Sequence, residues 1–297
     1  FFDTASSLAA VGTNGEIIAL IVSLSSGLSI GVNVMIAQQI GQHKENNLTS
    51  MIQTAMSLAI MIGILGLIFG QCIATPVLTL IKTPPDILNS SILYLRIYFV
   101  SYPFLMLYDF GSAILRAYGN SRYPFIALTL SGIVNVFLNL IFVVFFQFGV
   151  FGVAVATAIS TMFSAILVIF RLKKEISVIP FSLKKCDMQL KIIVTILRIG
   201  IPSAVQSAVF CFANIFVQAC VNGFGSYAIA GSTIAMNFEY FTYYVITAFG
   251  QTATTFTSQN HSAGQYQRCK KILWVCLICS IVSSMILIEP LVIFRNF

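Results

Sequence analysis

Asn135 and Asn139 stand four residues apart inside an apolar run, SGIVNVFLNLIFVV. At helical spacing they share one face. Two carboxamides there offer carbonyl oxygens, hard ligands suited to Na+. They would serve equally as hydrogen-bonding groups between helices, the usual task of membrane Asn. Asp109, in FVSYPFLMLYDFGSAIL, is an acid in an apolar run. Such a group could exchange a proton against a cation, or it could pair with a nearby base such as Arg116. Glu239, in MNFEYFTYY, is the only acid of its run, and Tyr240, Tyr243 and Tyr244 flank it. An acid among aromatic rings suits an organic cation, through charge and cation–π attraction; a hydrogen-bonded acid between helices is the competing reading. Gln206 and Asn214 are further candidates for the same face. Thr157 lies in the small-residue stretch VAVATAIS, where its hydroxyl could face a cavity or bond back to its own helix. His43 and His261 read as solvated loop residues.

These groups need elements that carry them, and composition names the solvent. The chain is 58% hydrophobic and 8% charged, with a mean hydropathy of +0.94. A soluble domain carries roughly a quarter charged residues, so this surface must be solvated by lipid. The runs are long, as helices require, with none of the ten-residue alternation of a β-barrel. Eight helices are expected, near 15–40, 48–73, 87–117, 122–147, 150–172, 190–222, 225–258 and 266–289. Turn chemistry separates them, as in GQHKENN, RAYGNSRYP and VNGFGSYA. Pro103 should kink the third. The fold class is therefore all-α and integral to the membrane.

The net charge of +7 bears on topology rather than on nucleic acid. Alternate loops and their flanks hold 13 of the 16 basic residues, among them Arg171, Lys173, Lys174, Lys184 and Lys185. That side is assigned to the cytoplasm, which puts residue 1 outside and implies a multi-pass plasma membrane protein, bacterial in type. Most of the seven Cys sit in apolar runs. Cys276 and Cys279 have C-x-x-C spacing without a neighbouring His, and read as packing residues. The sequence has no P-loop, G-x-S-x-G or H-E-x-x-H, so neither an ATP-driven pump nor an enzyme is expected, and no cofactor.

The phrase AQQIGQ at 37–42 returns as SQNHSAGQ at 258–265. Aligning Gln38 with Gln259, and Gly41 with Gly264 across a two-residue insertion, brings SSLAAVG at 6–12 onto YAIAGST at 227–233. Both copies run outside to inside, a parallel repeat of the kind transporters use. A helix precedes the second copy and none precedes the first. That asymmetry predicts a 6+6 protein of which residues 1–175 are an N-terminal lobe lacking its first helix. Residues 176–190 would be a cytoplasmic linker, and 191–297 the first three helices of a C-terminal lobe.

The ordered set of stretches 8–42, 113–143, 148–160, 196–208 and 224–265 resembles the multidrug and toxic compound extrusion (MATE) family. The resemblance implies twelve helices in two lobes around a cleft, exporting cationic or amphipathic compounds in exchange for Na+ or H+. It places Asn135 and Asn139 at positions where many relatives carry Asn and Asp in an N-lobe cation site. Thr157 falls where a sixth-helix Thr faces the same cavity. Asp109 falls near a position that is often Asn, and could supply the carboxylate that Asn139 lacks. The family's first helix carries a coupling acid about fourteen residues before LAAVG. Asp3 lies only about five before it, so Asp3 is expected in a loop and the coupling acid in a helix upstream of this chain. Expected partners are small organic cations and membrane lipid, without nucleic acid, for a monomer. A lipid-linked saccharide flippase of the same superfamily, or an inactive membrane protein, are the alternatives.

Overall fold

The computed structural model describes residues 10–43, 47–81, 83–176, 188–222 and 226–293. The linker region 177–187 and Asp3 lie outside the described residues. Each apolar run forms one long helix, since in lipid a chain must bond its own backbone groups. They are α1 (Gly15–Gly41), α2 (Leu48–Leu80), α3 (Pro85–Ala117), α4 (Arg122–Asn139), α5 (Gly149–Ile176), α6 (Leu190–Asn222), α7 (Ser226–Ser262) and α8 (Tyr266–Ile293). Among the described residues there is no strand. Among the described residues seven helices are long and apolar enough to cross a membrane. The eighth, α7, is rich in Tyr, Thr, Gln, Asn and Ser along its length. Two helices change character on the way. A turn at Asn14 sets the short helical stretch 10–13 off from α1. Directly after Asn139, α4 loosens into a π-helical segment, Leu140–Phe145.

The chain divides into two compact units, residues 1–33 with 46–208, and residues 34–45 with 209–297. In the first unit α2 packs on α3, α3 on α5, and α4 on α5. Glycine sets the closest approach. Gly63, Gly66 and Gly70 line one face of α2 and lie against Pro103, Tyr102 and Phe99 of α3, with no room for a Cβ. Helix α3 runs unbroken through Pro103. Helices α1 and α6 meet backbone to backbone. Gly27 lies on Ala204 and Gly31 on Ile196, while a Cβ on Gly200 would come within 2.8 Å of the Leu28 carbonyl. This is a small-xxx-small pair on each helix. It joins the first half of α6 to the first unit, which runs to Ala208.

In the second unit α7 packs on α8. Large apolar side chains of α8, among them Trp274, Leu277, Ile281 and Met285, stay exposed, as a lipid-facing helix allows. The repeated phrases close the two helices that carry them. Past α7, Gly264 takes φ +74, and Gln265 and Gly264 donate back to the carbonyls of Asn260 and His261 at 2.8 and 3.0 Å. This is a Schellman cap. Past α1, His43 takes φ +53 and donates to Ile40 at 3.0 Å. The cap therefore pairs His43 with Gly264, which keeps Gln38 on Gln259 without any insertion. The alignment of Gly41 with Gly264 is corrected accordingly. Gly41 is small for another reason: it lies against the backbone of Gln259, where a Cβ would overlap the carbonyl oxygen.

Candidate functional site

The first unit holds a polar thread built on α4 and α5. Asn135 and Asn139 project from one face of α4, and the Asn139 amide donates to the Asn135 carboxamide oxygen at 3.0 Å. Asn135 in turn donates to Ser160 Oγ at 3.2 Å, with a longer contact of 3.5 Å to Thr157 Oγ1. Thr157 donates to the Val153 carbonyl at 3.0 Å and Ser160 to the Thr157 carbonyl at 2.9 Å. From α3, Tyr94 packs in one cluster with Val150 and Ala154 of α5, one turn before Thr157. Ser131, one turn before Asn135, donates to the Ser160 carbonyl at 2.6 Å and ties α4 to α5. Each hydroxyl thus satisfies a backbone carbonyl, and Asn135 joins the helices. The thread ends at Asn139 Oδ1, buried without a hydrogen-bond partner among the described residues.

A bare carbonyl oxygen in a lipid-facing bundle is costly unless something polar meets it. The other groups of the thread are neutral amides and hydroxyls, whose oxygens fit a hard monovalent cation. Among the described residues no cluster of His, Cys, Asp and Glu could hold a transition metal. The π-helical segment begins at the next residue. Such bulges break the regular bonding of a helix and are frequent at functional sites.

Asp109 stands elsewhere. It accepts the Ser25 hydroxyl at 2.5 Å, and Ser25 Oγ also lies 3.1 Å from Met106 Sδ. Arg116 lies two turns further along the same helix. Asp109 lies 15 residues beyond Tyr94 on α3, about 22 Å of helical rise. The structure therefore brings Asn135, Asn139 and Thr157 together, and it does not bring Asp109 to them. Ser25, Ser160, Ser131 and Tyr94 were not among the residues singled out from sequence. The partners of the three serines on other helices are 25 to 84 positions away, beyond the reach of local spacing.

The other candidates divide between the units. Gln206 is exposed in the first, while Asn214, Glu239, Tyr240 and Tyr243 are in the second. There Phe210 of α6 stacks on Tyr243 of α7, centroids 4.7 Å apart and nearly parallel, and Tyr244 meets Tyr243 edge-on at 5.9 Å. Asn214 lies one turn past Phe210, and Glu239 one turn before Tyr243. Consecutive membrane crossings run in opposite senses, so both residues sit one turn to the same side of the stack. Glu239 is exposed. The arrangement is an aromatic stack with an acid and an amide one turn away along the two helices.

The MatE family model matches residues 4–141 and 202–297. A curated relative named "Probable multidrug resistance protein YoeA", of Bacillus subtilis (strain 168), is 25% identical over 296 residues, 97% of this chain and 64% of the relative. "Multidrug export protein MepA" of Staphylococcus aureus (strain MRSA252) is 21% identical over 241 residues, 81% of this chain and 53% of the relative. The chain thus spans less than two thirds of the length of these relatives. Two solved structures share its fold. One is described as the outward-facing conformation of a multidrug resistance MATE family transporter of the MOP superfamily, at 22% identity and TM-score 0.83, over 98% of this chain and 67% of that one. The other is a MOP superfamily transporter from Pyrococcus furiosus, at 21% identity and TM-score 0.84, over 97% and 65%. The family match takes in both copies of the repeat and the helix that carries Asn135 and Asn139, and the chain belongs to the MatE family of multidrug and toxic compound extrusion proteins.

Proposed function

We propose that this chain works as a secondary active antiporter, exporting cationic or amphipathic compounds in exchange for Na+ or H+ by alternating access. The observation that carries the proposal is the Asn135–Asn139–Thr157 thread, which ends in a buried, unpartnered carboxamide oxygen. Asn139 Oδ1 and Thr157 Oγ1 would hold the ion, and Asn135 would orient Asn139. Amides and hydroxyls take no proton near neutral pH, so these oxygens suit Na+. Coupling to H+ would fall instead to Asp109, a carboxyl deep within α3. Either ion couples to export only by binding the inward and outward states with different affinity. The Phe210–Tyr243 stack with Glu239 one turn away supports a cationic cargo, through charge and cation–π attraction. The lobes would be 1–175 and 191–297, working as a monomer in the plasma membrane with the basic loops inside.

The test is ethidium efflux from cells lacking their own exporters, using the full-length protein with Asp109→Asn and Asn139→Ala beside it. A sodium-driven rate that falls about tenfold in Asn139→Ala and stays within twofold in Asp109→Asn supports Na+ on the thread. A proton-driven rate lost only in Asp109→Asn assigns the coupling to that acid. No efflux from well-expressed protein under either gradient defeats the exporter reading and favours a flippase.

A further inference from the structure

Asn14 is the second buried carboxamide whose oxygen has no hydrogen-bond partner among the described residues. Its side chain is 0% exposed. It sits at the turn that sets the stretch 10–13 off from α1, and its backbone N–H bonds Val11 at 3.2 Å, one residue short of the helical partner. The amide Nδ2 takes over that missing partner, donating to the Ala10 carbonyl at 2.9 Å, and it also donates to the Ser91 carbonyl at 3.2 Å. The Ser91 hydroxyl donates to Ala10 at 3.3 Å. Both amide hydrogens are thus used in mending the turn, which explains the residue type. The oxygen is left over.

Its location gives that oxygen a use. Ser91 is three residues before Tyr94 on α3, so the two share a face. Ala10 packs in one cluster with Ile87, Tyr94, Val150 and Ala154, and Thr157 follows Ala154 by one turn. The Ala10 cluster thus stands between the polar group of Asn14 and Ser91 and that of Thr157, Asn135 and Asn139, and each group holds one bare carboxamide oxygen. Buried carbonyl oxygens without partners are uncommon, and a bound ion is one of the reasons a native protein keeps one. We infer that Asn14 Oδ1 is a second oxygen station for the alkali cation, beside the one at Asn139. An amide cannot be protonated near neutral pH, so the ligand is a metal cation such as Na+. The inference rests on the proposed Na+ coupling at Asn139 and adds a residue to it.

The test is equilibrium binding of radioactive Na+ to the purified full-length protein. The variants are Asn14→Leu, Asn14→Asp and Asn139→Ala, each checked for thermal stability in detergent. A ligand oxygen predicts opposite shifts: about tenfold weaker binding in Asn14→Leu, and severalfold tighter in Asn14→Asp, where the oxygen carries charge. A purely structural amide predicts one direction, because neither variant can donate to Ala10. Weakening in both, or a change under twofold in both, overturns the inference. If Asn14→Leu fails to fold, the Asp variant decides, and binding no tighter than wild type overturns it. Binding that Asn139→Ala weakens while both Asn14 variants leave it unchanged keeps the parent proposal and rejects this one. Absence of Na+ binding by the wild type rejects both.

Discussion

Asn135→Leu is expected to lower ion-driven ethidium efflux by about tenfold or more, the range seen when the group orienting an ion ligand is removed. Leu keeps the approximate volume but offers no polar atom. Asn139 Nδ2 then loses its acceptor and Ser160 Oγ loses a donor. The bare Asn139 oxygen is no longer aimed by a partner. A polar contact between membrane helices contributes only about 1 kcal/mol, so the fold should tolerate the change while the site does not. Asn135→Asp separates the two effects. It keeps the acceptor for Asn139 and adds charge beside the ion, so Na+-driven efflux should survive. The measurement is initial efflux rate at matched membrane expression. A wild-type rate in Asn135→Leu would make the thread a packing device and remove the main support for Na+ coupling on α4.

The parts of this site differ in how legible they are from sequence. Asn135 and Asn139 stand out because a four-residue spacing in an apolar run fixes a shared helix face. Thr157 is ambiguous from residues alone, since a hydroxyl in a small-residue helix bonds its own backbone, and here it does so at Val153. The family resemblance is what picks it out. Ser160, Ser131 and Tyr94 resemble any other small or aromatic membrane residue until α3, α4 and α5 are packed. Asn14 stands just before the expected start of the first helix, and its amide meets Ser91, 77 positions on, only in the packed structure. The π-helical segment LIFVVF contains no Gly or Pro to announce it. The pairing of Asp109 with Ser25 spans 84 positions. The helices follow from hydropathy because lipid leaves the backbone no alternative. The repeat is readable as a pattern, yet the meaning of its glycine is not. Gly41 looks like a cap residue in the alignment, whereas His43 holds the left-handed position and Gly41 is kept small by the backbone of Gln259.

Gly31→Leu is expected to have the largest effect on stability, lowering the melting temperature in detergent by about 5–10 °C or preventing insertion of the folded protein. The α1–α6 seam is closed by main chain on both sides. A Cβ on Gly31 would overlap the Ile196 carbonyl oxygen, and it would stand 3.0 Å from the Gly200 nitrogen. Neither neighbour is a side chain that can rotate away. Gly27 on Ala204 and Gly200 on Leu28 make the same contact one turn along, so relieving one clash separates the whole seam. Overpacking of an ordinary core costs about 1–3 kcal/mol, and the rigid backbone puts this case at or above the upper end. Three or more kilocalories correspond to a shift of this size in a chain of a few hundred residues. The control is Gly132→Leu. Gly132 is exposed on α4 and has nothing within 4 Å of its Cβ position, so the same substitution should leave melting within about 2 °C of wild type. Gly31→Ala adds only the clashing Cβ and should fall between the two. Equal melting of Gly31→Leu and Gly132→Leu would mean that α1 and α6 can part without cost, and the seam would then be a sliding surface rather than a fixed one.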